Sequence, residues 1–168
     1  VGSEMCIRDR YLTLTDCESA CEEEGPIHGC LDSQACNYNP NASIDNNSCE
    51  YAEENYDCNG DFVINNSNVQ QLVNSWLEDS VSTEAVYGHI SEWDVSNVTD
   101  MSILFQDLTS FNEDISNWDV SNVTNMGSMF NNAESFNGDI SSWDVSNVTN
   151  MSYMFFAATS FNGDLSNW

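Results

Sequence analysis

The residues of this chain that could do chemistry are carboxylates, and they recur. Asp114, Asp139 and Asp164 stand 25 residues apart, each two residues before Ser116, Ser141 or Ser166, and His89 lies one interval ahead of them. Asp94, Asp119 and Asp144 form a second series with the same interval. If the intervals stack as paired strands do, about 4.8 Å apart, each series becomes a column of like charge. Neighbours about 5 Å apart then repel by roughly 0.8 kcal/mol even in bulk water. Two chemistries offset that repulsion. Each Asp can accept backbone N–H groups of its own turn, or hard divalent cations can bind the carboxylates. For the Asp94 column the turn is the expected answer. For the His89, Asp114, Asp139 and Asp164 column, with its serines, a solvated acidic face and a cation- or ligand-binding face both stay open.

Catalysis finds little to work with. There are two histidines in all, and no nucleophile elbow, phosphate loop or zinc-protease signature occurs. A carboxylate pair could hydrolyse glycosides, but such a pair is made once, whereas these carboxylates recur in every unit. A non-catalytic protein is expected. Outside the columns, Asp32, Asp45, Asp57 and Asp61 lie in Asn-rich loops. These loops suit either simple solvation or a calcium site, and they lack the EF-hand pattern. No cofactor is required, and calcium is the one these loops could take.

Val1 to Arg10 reads back into a transposase adapter used in DNA library preparation, and is expected to be a translated artefact of a metagenomic fragment. Without it no Lys or Arg remains, 26 acidic residues are left, and the formal charge is still −26. Such a surface repels nucleic acid and anionic lipid, and no apolar run is long enough to span a membrane. Nothing in the pattern calls for a homo-oligomer. Six cysteines then remain, Cys17, Cys21, Cys30, Cys36, Cys49 and Cys58, all ahead of the repeats. An even, local set in an acidic chain reads as disulfides and an oxidising compartment. Zinc is the rival, but no Cys-x-x-Cys pair occurs and His28 is a poor fourth ligand.

These side chains have to be positioned by a repeat. Trp93, Trp118, Trp143 and Trp168 mark a 25-residue period, which predicts a solenoid whose units bury their apolar sides on one another. The expected core columns are Trp93/118/143, Val95/120/145, Val98/123/148, Met101/126/151, Phe105/130/155, Phe111/136/161 and Ile115/Ile140/Leu165. Phe-Asn-x-Asp-Ile-Ser reads as a short strand. Thr-x-Met-x-x-x-Phe reads as a short helix or 3₁₀ turn with Thr99, Thr124 and Thr149 as N-caps. That is an α/β repeat solenoid on the leucine-rich-repeat plan. The Asn97/122/147 and Asn112/137/162 columns are expected to bond backbone within the stack. Ahead of the repeats, Val69, Leu72, Val73, Trp76 and Leu77 form one apolar stripe, predicting a capping helix over 67–79 with Ser67 or Asn68 as its cap. The expected organisation is an adapter at 1–10, a Cys-rich acidic module at 11–61, a linker and capping helix at 62–87, and a truncated solenoid at 88–168.

Two resemblances extend this reading. Gly29-Cys30-Leu31-Asp32, Ala35-Cys36-Asn37-Tyr38-Asn39-Pro40 and Asp45-Asn46-Asn47-Ser48-Cys49 resemble a short repeat of large secreted bacterial proteins. That resemblance implies Cys30–Cys49 and Cys36–Cys58 bridges, with Cys17 and Cys21 pairing with each other or with something upstream. The phrase Trp-Asp-Val-Ser-Asn-Val-Thr-Asn-Met, followed by Met-Phe and Ser-Phe-Asn, resembles the BspA-like bacterial surface proteins, whose repeat was first marked out in mycoplasma surface proteins. It implies a secreted or cell-surface protein used for attachment, binding a host or matrix protein or a glycan through its repeat face, and it carries no catalytic residues. The alternative is a calcium-stiffened spacer that displays another domain.

Overall fold

The structure is a computed structural model and describes residues 25–168. The expectations for Val1 to Arg10, Cys17 and Cys21 lie outside the described residues. The chain divides into two compact units between Glu53 and Glu54, ahead of the boundary expected at residue 61. The physical reason lies in Asn55. Its side-chain oxygen accepts from Asn65, Ser67 and Asn68, and its carbonyl accepts from the N–H of Val63 at 2.8 Å. These bonds tie the stretch after residue 54 to the helix that follows.

In the first unit, β1 (His28–Gly29) pairs in parallel with β2 (Ile44–Asp45). So little regular structure cannot bury much, and a cross-link takes over. The Cys30–Cys49 disulfide is formed, closing a separation of 19 residues. Cys36 is disulfide-bonded as well, as is Cys58 in the second unit. Turns lock the rest: Asn37 donates to the carbonyl of Ser48 at 2.6 Å and accepts from the N–H of Glu50 at 3.0 Å.

In the second unit, α1 (Val69–Glu78) buries Val69, Leu72, Val73 and Trp76. They join one apolar cluster with the repeat residues. Asn68 occupies the N-cap without a side-chain cap bond, because its amide oxygen is already taken by the N–H of Asn65 at 2.9 Å. A second helix, α2 (Ser80–Tyr87), follows at once. Asp79 closes α1 by bonding its N–H to the carbonyl of Ser75, and opens α2 by accepting from the N–H of Ser82. Gly88, at φ 76°, ends α2 in a conformation glycine adopts without penalty. A 3₁₀ turn (Ile90–Glu92) leads to Trp93.

From Trp93 onwards successive units bond to each other at an offset of one period. The N–H groups of Met101, Ile103, Phe105 and Asp107 donate to the carbonyls of Asn125, Gly127, Met129 and Asn131 at 2.9–3.0 Å. Met126, Ser128, Phe130 and Asn132 repeat the pattern onto Asn150, Ser152, Met154 and Phe156 at 2.7–2.9 Å. On the flanks the direction reverses, with Thr124 donating to Thr99 and Ser135 to Thr109. Within each unit the same stretch folds through i→i+3 turns, such as Leu104 to Met101 and Leu108 to Phe105.

The stretch expected as a short helix is therefore a ladder of turns. Ile103, Asp107, Ser128, Asn132, Tyr153 and Ala157 all have φ near +60°. These left-handed residues rotate alternate N–H groups out of the unit and onto its neighbour, which no continuous right-handed helix permits. Thr99, Thr124 and Thr149 consequently are not helix caps. The hydroxyls of Thr124 and Thr149 donate to the carbonyl of the preceding threonine at 3.1 and 3.0 Å. The Phe-Asn-x-Asp-Ile-Ser stretches contain no regular strand.

The seven expected core columns are buried throughout the first two units. Leu104/Met129/Met154 and Ala133/Ala158 add further buried positions. Three aromatic stacks run through the units: Trp93–Trp118, Phe105–Phe130–Phe155 and Phe111–Phe136–Phe161, with neighbouring rings 5.3–6.4 Å apart. Trp143 and Trp168 continue the first at 6.4 Å.

Ahead of the first unit, side chains supply what a preceding unit would. The amide oxygen of Asn66 accepts from the N–H groups of Thr99 and Asp100 at 2.8 and 3.2 Å. Its amide nitrogen reaches the Thr99 hydroxyl at 2.8 Å. From α1, Gln70 donates to the carbonyl of Leu104 at 3.2 Å, and Trp76 meets Trp93 edge to face at 6.0 Å.

Candidate recognition face

Both acidic columns turn inward on their own backbone. Asp94, Asp119 and Asp144 each accept the N–H of the serine two residues on, at 3.0 Å. Asp114, Asp139 and Asp164 do the same with Ser116, Ser141 and Ser166 at 2.9–3.0 Å. His89 heads that column in the same role, its Nδ1 accepting the N–H of Ser91 at 3.2 Å, which requires the tautomer protonated at Nε2.

The electrostatics show which effect wins. The Ser141 hydroxyl and N–H bonded to Asp139 pull its pKa below 3.8, while neighbouring Asp114 pushes it up. Ser166 likewise lowers Asp164 against the charge of Asp139. For Asp114, the Ser116 N–H and hydroxyl dominate, and His89 adds to the lowering. The Ser121 and Ser146 hydroxyls and N–H groups lower Asp119 and Asp144. For Asp119, Asp139 and Asp164 the local donors outweigh the charge of the neighbouring carboxylate.

Asp32 and Asp45 lie in the first compact unit, Asp57 and Asp61 in the second. Asp32 accepts from Gln34 and from the Tyr51 hydroxyl, which holds its pKa down. Asp45 accepts from Asn47. Asp57 accepts from the N–H groups of Asn59 and Asp61. Among the described residues no group of three or more His, Cys, Asp or Glu is placed to hold a metal. The columns of Asn bond the stack: Asn122 and Asn147 donate to the carbonyls of Ser96 and Ser121. The side-chain oxygens of Asn112 and Asn137 accept from the N–H groups of Asn137 and Asn162.

The outward face that sequence reasoning overlooked is the turn ladder. Ile103, Ser128 and Tyr153 occupy one outward column, and Gln106, Asn131 and Phe156 another. Ile103 is 57 % exposed, Tyr153 70 % and Phe156 62 %, and the last two rings meet edge to face at 6.1 Å. The available signal was variation: these positions change in every unit, while Trp-Asp-Val-Ser-Asn-Val-Thr does not change at all.

That invariant phrase, stacked in register, is also what places the chain among known proteins. Residues 75–168 match the family described as "Mycoplasma protein of unknown function, DUF285". The chain belongs to this family. The DUF285 match takes in the last turn of α1, the whole of α2 and every repeat of the array. It agrees with the mycoplasma-type repeat surface proteins that the repeat phrase resembles, and with the disulfides it supports an extracellular or surface location. No curated protein and no solved structure matches the chain.

Proposed function

We propose that this chain is the recognition part of a secreted or surface-anchored protein. It is a non-catalytic, leucine-rich-repeat-like solenoid that adheres to an extracellular protein or glycan through its repeat face. The observation that carries the reading is the turn ladder. It holds a fixed backbone while its outward side chains, Ile103/Ser128/Tyr153 and Gln106/Asn131/Phe156, differ from unit to unit. A rigid scaffold with variable aromatic, amide and hydroxyl groups is what recognition requires. The acidic column headed by His89 borders recognition by charge, excluding anionic partners.

The rival spacer reading has less support. Its calcium would serve to neutralise carboxylates that local N–H groups and hydroxyls already stabilise. The test is binding of the full chain to extracellular protein and glycan arrays, beside a Tyr153→Ala/Phe156→Ala variant. Saturable binding lost in the variant supports recognition through the ladder. Saturable binding unchanged in the variant moves recognition to another face. No saturable binding to any probe removes the proposal and leaves the spacer.

A further inference from the structure

Within the second unit, where α2 meets the first 25-residue repeat, there is a cleft of about 190 Å³ lined by Phe62, Ile64, Val86, Tyr87, Trp93 and the two carboxylate residues Glu92 and Asp94. Its walls are aromatic. The Phe62 and Tyr87 rings pack against each other, 4.9 Å apart and tilted at 53°, and together line one side of the cleft. Trp93 closes the inner side, held in place by its indole N–H bonding to the carbonyl of Gly88 at 3.0 Å. Glu92 and Asp94 are exposed, and no Lys or Arg exists beyond Arg10 to pair with them. Only one oxygen of Asp94 is engaged, by the N–H of Ser96.

The geometry points to a site for a small quaternary ammonium group of the choline type. Three chemical features select that ligand over others. Aromatic faces attract a cation electrostatically, and most strongly when it sheds little hydration. A trimethylammonium group is such a cation, and its methyl groups also favour the apolar floor of Ile64 and Val86. The two exposed carboxylates of the cleft supply the matching charge, whereas an anion would meet them and the −26 charge of the chain. A metal ion is not favoured, since the lining offers too few oxygens for one.

The test is titration of the full chain with choline chloride, read by indole fluorescence and calorimetry. The neutral isostere 3,3-dimethylbutanol, phosphocholine and sodium chloride serve as comparators. Choline is expected to saturate, and the isostere to bind at least about fivefold more weakly. Tyr87→Ala should weaken choline about tenfold, and Glu92→Gln about threefold; Glu92 is exposed, and its change leaves the packing of Tyr87 on Phe62 in place. Phosphocholine binding as tightly as choline would identify a headgroup as the source, and weaker binding a free cation. Equal binding of the isostere, no effect of Tyr87→Ala, or no saturation by choline would overturn the assignment.

Discussion

The indole N–H of Trp118 donates to the carbonyl of Ile90, 28 residues earlier, at 2.8 Å in a buried setting. Trp143 makes the same bond to Ile115 and Trp168 to Ile140. Trp118, Trp143 and Trp168 therefore each do two jobs, stacking on another indole and bonding a carbonyl 28 residues earlier.

Trp118→Phe keeps most of the ring and removes the donor. The Ile90 carbonyl then keeps only the N–H of Trp93, at 3.4 Å, and losing the indole bond costs about 1 kcal/mol. The urea midpoint should fall accordingly. A midpoint equal to that of the parent would mean that water replaces the bond and that the indole N–H is dispensable.

The column Asp100, Asn125, Asn150 is a chain of amide bonds. Asn125 donates to Asp100 at 3.0 Å and accepts from Asn150 at 2.8 Å. Asn125→Asp would place two carboxylates in contact and remove the donor. A loss of about 1 kcal/mol at low ionic strength is expected, much of it regained in high salt. A loss independent of salt would show that the missing donor, not charge, sets the effect.

Ile103 holds φ 58° while 57 % exposed, and its N–H bonds to Gly127 at 3.0 Å. The left-handed region costs an ordinary L-residue roughly 1–2 kcal/mol, and asparagine tolerates it better. Ile103→Asn should therefore stabilise the second unit, raising its melting temperature. Destabilisation would mean that Ile103 packs usefully where its exposure suggests it does not.

The same residues show how far the sequence could be read. Burial columns were legible because a 25-residue period repeats each apolar choice, so chance spacing averages out. The ladder of turns was not, because left-handed backbone announced itself with Ile103, Ser128 and Tyr153 in place of glycine. Met101 and Phe105, four apart, also mimic a helical stripe, since the turns themselves recur every four residues at Ile103 and Asp107. The second helix was signalled by Asp79 three residues before Ser82, a capping arrangement hidden by the expectation of one helix. Of the candidate site, the carboxylates of both acidic columns accept the N–H of the serine two residues on. Their local bonding could be anticipated for Asp94 but was left open for Asp114, because nothing in a sequence tells a satisfied carboxylate from a waiting one.

Asp79, Asp100, Asp114, Asp119, Asp139, Asp144 and Asp164 all have pKa values below the ordinary 3.8, chiefly through serine hydroxyls and N–H groups. Because folding depresses these values, the stability they contribute is fully present above 3.8 and is lost as pH falls through the lower folded values. Urea midpoints measured from about pH 5 to about pH 1 should decline across that window. Asp119→Asn, which keeps an acceptor oxygen, should shrink the decline. A flat profile would show that the serine donors bind the neutral acid as well as the carboxylate.

Reduction of Cys30–Cys49 opens a loop of 19 residues, and Cys49→Ser should cost the first unit about 3 kcal/mol. Hydrogen exchange at Cys36, whose N–H bonds to Glu50 at 2.7 Å, would report it. Unchanged protection there would show that the turns hold without the bridge.

Every bond of the ladder joins a residue to the one just ahead of its counterpart in the next repeat, and the first repeat is satisfied by Asn66 and Gln70. A gene encoding such a protein can gain or lose whole units by unequal recombination without creating a new kind of junction. A single-residue insertion, by contrast, would throw every column beyond it out of step. Array length is thus free to drift between lineages while the phrase that defines each unit stays fixed.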